Sequence, residues 1–354
     1  MWVCDDEYVG ADFASLVKEM EIQALCRIHV QFISCKELGA FREEYVILAG
    51  KTFFHTYCKY LGYAGLSEFY SAVPILQNGF IKQNYFAYFT SLYRRQREGV
   101  FLGGVEIDLT KRCTLRCKEC ANLMQYYKKP DRIPGETIRK SVICLLDSVD
   151  GIAMLKILGG EPLLEQELLE EILCMPQLVS QQKVLGIQII TNGTILFREN
   201  LLECMQKNPL VGVLLSNYGS LSAKEEEIKE QLRAYQIPFS EIGTKDTWRC
   251  YGDPREVHQT PDEAVQLFRK CKSKENCCTV LDGKLYACPR AAHGEALGFY
   301  PSVEGTCVEL LTEPWDRELM RKRIREFYFR EEAVQACSCC TNMCGATIGR
   351  AEQM

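Results

Sequence analysis

The sequence predicts an α/β protein built on a parallel sheet covered by helices. Three observations carry that expectation. Apolar runs alternate with helix-period segments from residue 104 onward, each run ends in a polar loop containing glycine or cysteine, and Gly99, Gly103 and Gly104 separate this regular part from a less regular first hundred residues. Apolar strands that alternate with helices are the mark of βα units, whose sheets are buried on both faces. Where four successive strands end in unusual polar loops, those loops share the C-terminal edge of the sheet, the edge on which parallel barrels build their active sites.

The elements follow in order. Residues 1–100 are expected to form an accessory α/β domain, with a strand at Tyr45–Gly50 and a helix over Thr52–Leu61. Gly50-Lys51-Thr52 is not a phosphate loop, because Tyr45 stands where that motif needs its first glycine. Strand one, 104–109, leads into Cys113. Ile138, Val142, Leu145, Leu146 and Val149 share one face of a helix that Gly151 can stop. Strand two, Ala153–Leu158, ends in Gly159-Gly160-Glu161-Pro162, and a helix burying Leu164, Leu168, Ile172 and Leu173 follows. Strand three, Gly186–Ile190, ends in Thr191-Asn192-Gly193; strand four, Leu210–Leu215, ends in Ser216-Asn217-Tyr218-Gly219. Ser222 with Glu225 three residues on is a capping-box signal for the next helix. A fifth strand is expected at Ile237–Ile242, and a sixth is not legible.

Composition limits what such a protein does. The formal charge of −5, without a long basic run, argues against a nucleic-acid binder held by phosphate contacts. No apolar run approaches the length of a membrane span, and acidic residues interrupt the first stretch where an export signal would lie. Twenty cysteines are present, ten of them from Cys250 onward and four before Cys113. In a chain without export features this reads as metal binding in a reducing cytoplasm, not as a disulfide framework.

The chemistry concentrates at Cys113-Thr-Leu-Arg-Cys117-Lys-Glu-Cys120, a C-x3-C-x2-C loop directly after strand one. Three thiolates can hold three corners of a four-iron cube and leave one iron open, whereas a closed cluster takes four. A zinc site is the alternative. The spacing resembles that of the radical S-adenosylmethionine (radical SAM) enzymes. Gly159-Gly160-Glu161-Pro162 likewise resembles that family's methionine-binding motif, although Gly-Gly is also a common turn. The resemblance implies a partial parallel (β/α)6 TIM-like barrel over 101–248, a [4Fe-4S] cluster on Cys113, Cys117 and Cys120, and SAM chelated to the open iron. It also implies that Glu161 accepts a hydrogen bond from the SAM amine, with Thr191, Asn192 and Ser216 contacting ribose or carboxylate; each of these is also an ordinary turn residue. Glu119 departs from the pattern, since an aromatic often precedes the third cysteine.

Residues 249–354 read as a second metal region. Cys278–Cys288 has the form of a hairpin turning at Asp282-Gly283. Cys271, Gly283 and Cys288 are spaced C-x11-G-x4-C, and Cys337-Ser-Cys339-Cys340 follows. This resembles the twitch form of the SPASM extension, a small cysteine-rich hairpin and helix unit with one auxiliary [4Fe-4S] cluster, here on Cys271, Cys288, Cys337 and Cys340. Cys277, Cys278, Cys339 and Cys344 are left over. Trp248, Arg249, Tyr251, Arg290 and His293 border the expected barrel mouth.

The activity that the resemblance implies is reductive cleavage of SAM to a 5′-deoxyadenosyl radical that removes a hydrogen atom from a carbohydrate-like small molecule. Maturation of a ribosomally made peptide is the alternative, and a non-enzymatic zinc or iron–sulfur protein the rival of another class. An external one-electron donor such as flavodoxin or ferredoxin is implied, with no nucleic-acid or membrane partner.

Overall fold

The computed structural model describes residues 100–354, except 181–182, 185, 209, 244–246, 272 and 342–346, together with four short strands among the first 99. Those strands are β1 (Trp2–Val3), β2 (Phe32–Ile33), β3 (Tyr45–Leu48) and β4 (Glu68–Ser71). They pair in parallel in the order β2-β1-β3-β4. β3 is the strand expected at Tyr45. The helix expected over Thr52–Leu61 lies outside the described residues.

The main sheet starts with β5 (Phe101–Asp108), followed by helix α1 (Gly135–Ser148) and β6 (Gly151–Leu158). Helices α2 (Gln166–Leu173) and α3 (Pro176–Ser180) lead to β7 (Ile187–Thr191). Then come α4 (Glu199–Gln206), β8 (Val211–Ser216), α5 (Glu225–Ala234) and β9 (Phe239–Ile242). β10 (Thr247–Arg249) and α6 (Pro261–Lys270) precede a short helix, α7 (Ser273–Asn276), and the hairpin β11 (Cys278–Leu281) and β12 (Lys284–Tyr286). The chain ends through α8 (Pro289–Ala296), β13 (Cys307–Glu309), α9 (Arg317–Tyr328) and β14 (Thr347–Gly349).

Eight strands form one sheet in the order β13-β12-β11-β5-β6-β7-β8-β9. Every pairing from β11 to β9 is parallel, and β12 and β13 add antiparallel strands. The sixth parallel strand, not legible in the sequence, is therefore β11, the first strand of the expected hairpin. Its pairing with β5 makes the cysteine-rich hairpin a continuation of the sheet. Among the described residues the ladder ends on β13 and β9, so the pairing describes an open, mainly parallel sheet and not a closed ring.

Strand alternation divides the sheet into two faces. Val105, Ile107, Leu155, Ile157, Ile187 and Ile189 are fully buried, in one core with Val142 and Leu145 of α1, Leu169 and Ile172 of α2, and Ile228 and Leu232 of α5. Each such side chain contributes about 1.5–3 kcal/mol on leaving water. On the other face one level is polar. Thr279, Glu106, Lys156 and Gln188 stand in one register across four neighbouring strands. Thr279, Glu106 and Gln188 are buried, and the Lys156 ammonium lies 3.6 Å from Glu106.

One helix start differs from expectation. Ser222 does not cap α5, because its hydroxyl donates to the carbonyl of Asn192 (2.7 Å) and accepts from the Tyr218 amide (2.9 Å). The loop after β7 has claimed it, and α5 begins after Lys224 with no side-chain cap. A complete capping box does occur at α6, where Thr260 and Glu263 satisfy each other's backbone amides beside Pro261.

Candidate iron–sulfur and SAM site

The cysteine loop is shaped by the glycine loop of the next strand. Gly160 N–H donates to the Thr110 carbonyl (2.8 Å) and Glu161 N–H to the Arg112 carbonyl (2.9 Å), zipping the two loops together. A Cβ on Gly160 would sit 2.0 Å from the Arg112 carbonyl oxygen, and one on Gly159, whose φ is +135°, 2.4 Å from that of Thr110. The glycines thus admit the neighbouring cysteine loop. Asn122 closes the arrangement by donating to the Gly159 carbonyl (3.2 Å).

Glu161 is completely buried. Its carboxylate accepts from Thr191 Oγ1 (2.8 Å), Asn192 N–H (2.8 Å) and Leu163 N–H (3.1 Å). Burial outweighs these donors and pushes its carboxyl up to about 7. Glu161 and Thr191 therefore fasten the β6 and β7 loops to each other from inside. Asn192 faces the thiols: its side-chain amide donates to Cys113 Sγ (3.6 Å) and Thr114 Oγ1 (3.0 Å). Pro162 opens a short 3-10 turn, and Ser216 is half-buried at the end of β8.

The thiols of Cys113, Cys117 and Cys120 share one region, since each disfavours ionisation of a neighbour. Burial pushes Cys113 up to about 12 and Cys117 to about 11, and raises Cys120 as well. The tyrosine of the β8 loop, Tyr218, is also raised by burial and by all three thiols, and its ring meets Trp248 edge to face at 4.7 Å. Glu119 points away from this region, its carboxylate accepting from the Tyr251 amide (3.0 Å).

The second thiol set also gathers. Cys288 is raised by burial and then by Cys337, Cys340 and Cys271, and Cys337 by burial, Cys271 and Cys340. Cys344 lies outside the described residues. Among the described residues no three His, Cys, Asp or Glu side chains converge tightly enough to hold one metal ion. Three thiols in the first set and four in the second match the donor numbers of an open-iron and a closed four-iron cluster.

Two residues link these regions more closely than the sequence suggested. Arg290 is buried, donates to the Gly252 (2.7 Å) and Cys339 (3.1 Å) carbonyls, and favours the thiolate at Cys120. His293, also buried, bonds Asp108 Oδ2 through Nε2 (2.7 Å) and the Tyr127 hydroxyl through Nδ1 (3.0 Å). Asp108 Oδ1 is buried without a partner. The order of aspartate on β5 and histidine on α8 has no local signature, because the two are 185 positions apart.

Residues 103–228 match the family described as a 4Fe-4S single cluster domain. A curated protein, the probable GTP 3′,8-cyclase of Archaeoglobus fulgidus, is 34% identical over 111 residues, 30% of this chain. The match takes in 33% of that protein, so the chain spans about a third of the curated relative's length. The matched segment contains Cys113, Cys117, Cys120 and the Gly159–Pro162 loop. Similar solved structures include BtrN in complex with AdoMet and 2-DOIA (13% identity, 73% of this chain and 98% of that one, TM-score 0.43). Another is native anSMEcpe with bound AdoMet and Kp18Cys peptide (15% identity, 69% and 89%, TM-score 0.42). The family match ends before Cys271, so the second thiol set rests on its own geometry. No helix among the described residues is long and apolar enough to cross a membrane.

Proposed function

We propose that the chain is a radical SAM oxidoreductase acting on a small polar, carbohydrate-like substrate, with Cys113, Cys117 and Cys120 holding the SAM-binding cluster. Cys271, Cys288, Cys337 and Cys340 hold one auxiliary cluster. When bound, these groups supply the electron that splits SAM and the radical that takes a hydrogen atom from a substrate carbon. The chain's own residues position and shield. Gly159 and Gly160 let the β6 loop lie on the cysteine loop, Glu161 and Thr191 fix that loop from behind, and Asn192 turns its amide to the thiols. Ser216 stands on the adjoining loop, in place for a ribose contact.

The observation that carries the substrate class is the polar register Thr279–Glu106–Lys156–Gln188 on the face opposite the helices, with Asp108 and His293 beside it. Asp108 Oδ1, buried on this face without a partner, is an acceptor that an apolar guest would leave dry and that a hydroxyl or amine of a polyol or amino sugar would meet. We assign residues 101–248 to SAM binding, 249–354 to the auxiliary cluster and 1–100 to an accessory domain. The electron comes from a soluble donor of flavodoxin or ferredoxin type, in the cytoplasm.

Anaerobic reconstitution tests this reading. Two four-iron clusters give about eight irons per chain, with 5′-deoxyadenosine released from SAM only when dithionite is present. Cys117→Ala abolishes that release, whereas Cys340→Ala halves the iron and leaves some release. Tight zinc with no SAM cleavage would sink the proposal.

A further inference from the structure

The segment around β14 closes over the cysteine loop. β14 pairs with β10, and Arg350 reaches the Asn217 side chain and the Gly243 carbonyl (both 3.1 Å), tying it to the loops after β8 and β9. Beyond the turn at Ala351, whose φ is +57°, residues 352–354 run antiparallel to 116–118. Lys118 N–H donates to the Glu352 carbonyl (2.7 Å) and Met354 N–H to the Arg116 carbonyl (2.9 Å).

Within this strip the Gln353 carboxamide has one orientation. Its oxygen must face the Arg116 N–H (2.6 Å), because that group can only donate. One of its amide hydrogens goes to the Ala351 carbonyl (2.8 Å), and the nitrogen lies 3.3 Å from Cys117 Sγ. Cys117 itself is 6% exposed, so water competes little for that contact.

We infer that Gln353 is a positioning residue that donates an N–H···S hydrogen bond to the Cys117 ligand and thereby raises the reduction potential of the SAM-binding cluster. The inference rests on the proposed ligand role of Cys117. Hydrogen bonds to the sulfurs are among the factors that set cluster potential, because they stabilise the more negative, reduced state. Buried surroundings strengthen the effect. No proton or electron is transferred by Gln353; it alters only the balance between two oxidation states.

The test is a redox titration of the reconstituted full chain. It follows the electron paramagnetic resonance signal that changes when SAM is added, and thus reads the open-iron cluster alone. Gln353→Met keeps the length of the side chain and removes the N–H. Gln353→Glu keeps an oxygen for Arg116 and replaces the donor by a charge. Both lower the midpoint potential, the glutamate variant more. Glu352→Gln breaks the neighbouring ion pair with Lys118 and leaves the potential where it was. A SAM-responsive cluster whose potential is the same in the wild type and both Gln353 variants overturns the inference and leaves the proposed function standing. A wild-type chain that assembles no SAM-responsive cluster overturns both.

Discussion

At the scale of single residues, Glu161 is the clearest case of a side chain whose type was legible and whose orientation was not. Gly-Gly-Glu-Pro marks the loop, but nothing local shows that Thr191 and two backbone amides donate to the carboxylate. Those partners are 30 positions away in the sequence. Because burial raises this carboxyl to about 7 from an ordinary 4.5, the folded chain keeps a proton that the unfolded chain releases. Its stabilising contribution is full below pH 4.5 and lost as pH rises through 7, a change on the order of 3 kcal/mol. Urea unfolding at pH 5 and pH 7.5 should show this slope in the wild type, and Glu161→Gln should flatten it. Gly160→Ala forces a Cβ against the Arg112 carbonyl, which costs about 3 kcal/mol or more. Iron content after reconstitution should fall with it.

At the scale of elements, the period of the apolar residues found β5 to β9, because each strand is a short buried run between turn signals. It missed that β11 belongs to the same ladder. The segment reads as a hairpin from its own alternation, and nothing local announces that β5 lies on its other side. The turn itself was legible. Asp282 and Gly283 have φ of +50° and +84°, the pair of positive values a two-residue hairpin turn of this kind requires. An alanine at Gly283 should therefore cost about 1–2 kcal/mol. Hydrogen exchange should report it as lost protection in β11 and β12, with iron content unchanged. Ser222 shows the opposite failure: a sound capping signal overruled by a tertiary hydrogen bond.

At the scale of the whole molecule, cysteine spacing marks two candidate thiol regions, and the contacts between them have no signature in the sequence. Arg290 joins the regions by holding the Gly252 and Cys339 carbonyls from a position near Cys120. Replacing it with methionine removes the donor from two part-buried acceptors, a loss of about 1–2 kcal/mol. Iron should then fall at both sites together, as Mössbauer spectra of labelled protein can measure, where Cys340→Ala affects one. A drop confined to the second site would show that Arg290 serves only the region it belongs to.

The strip formed by residues 352–354 also sets an order of assembly. Gln353 meets a thiol 236 positions earlier, so the cysteine loop gains this contact only once residue 353 has left the ribosome. Closing so long a loop is slow relative to local pairing. Until residues 352–354 dock, a growing chain would expose Cys113, Cys117 and Cys120 on an unfinished edge, open to oxidation, and iron insertion at that loop is coupled to that docking.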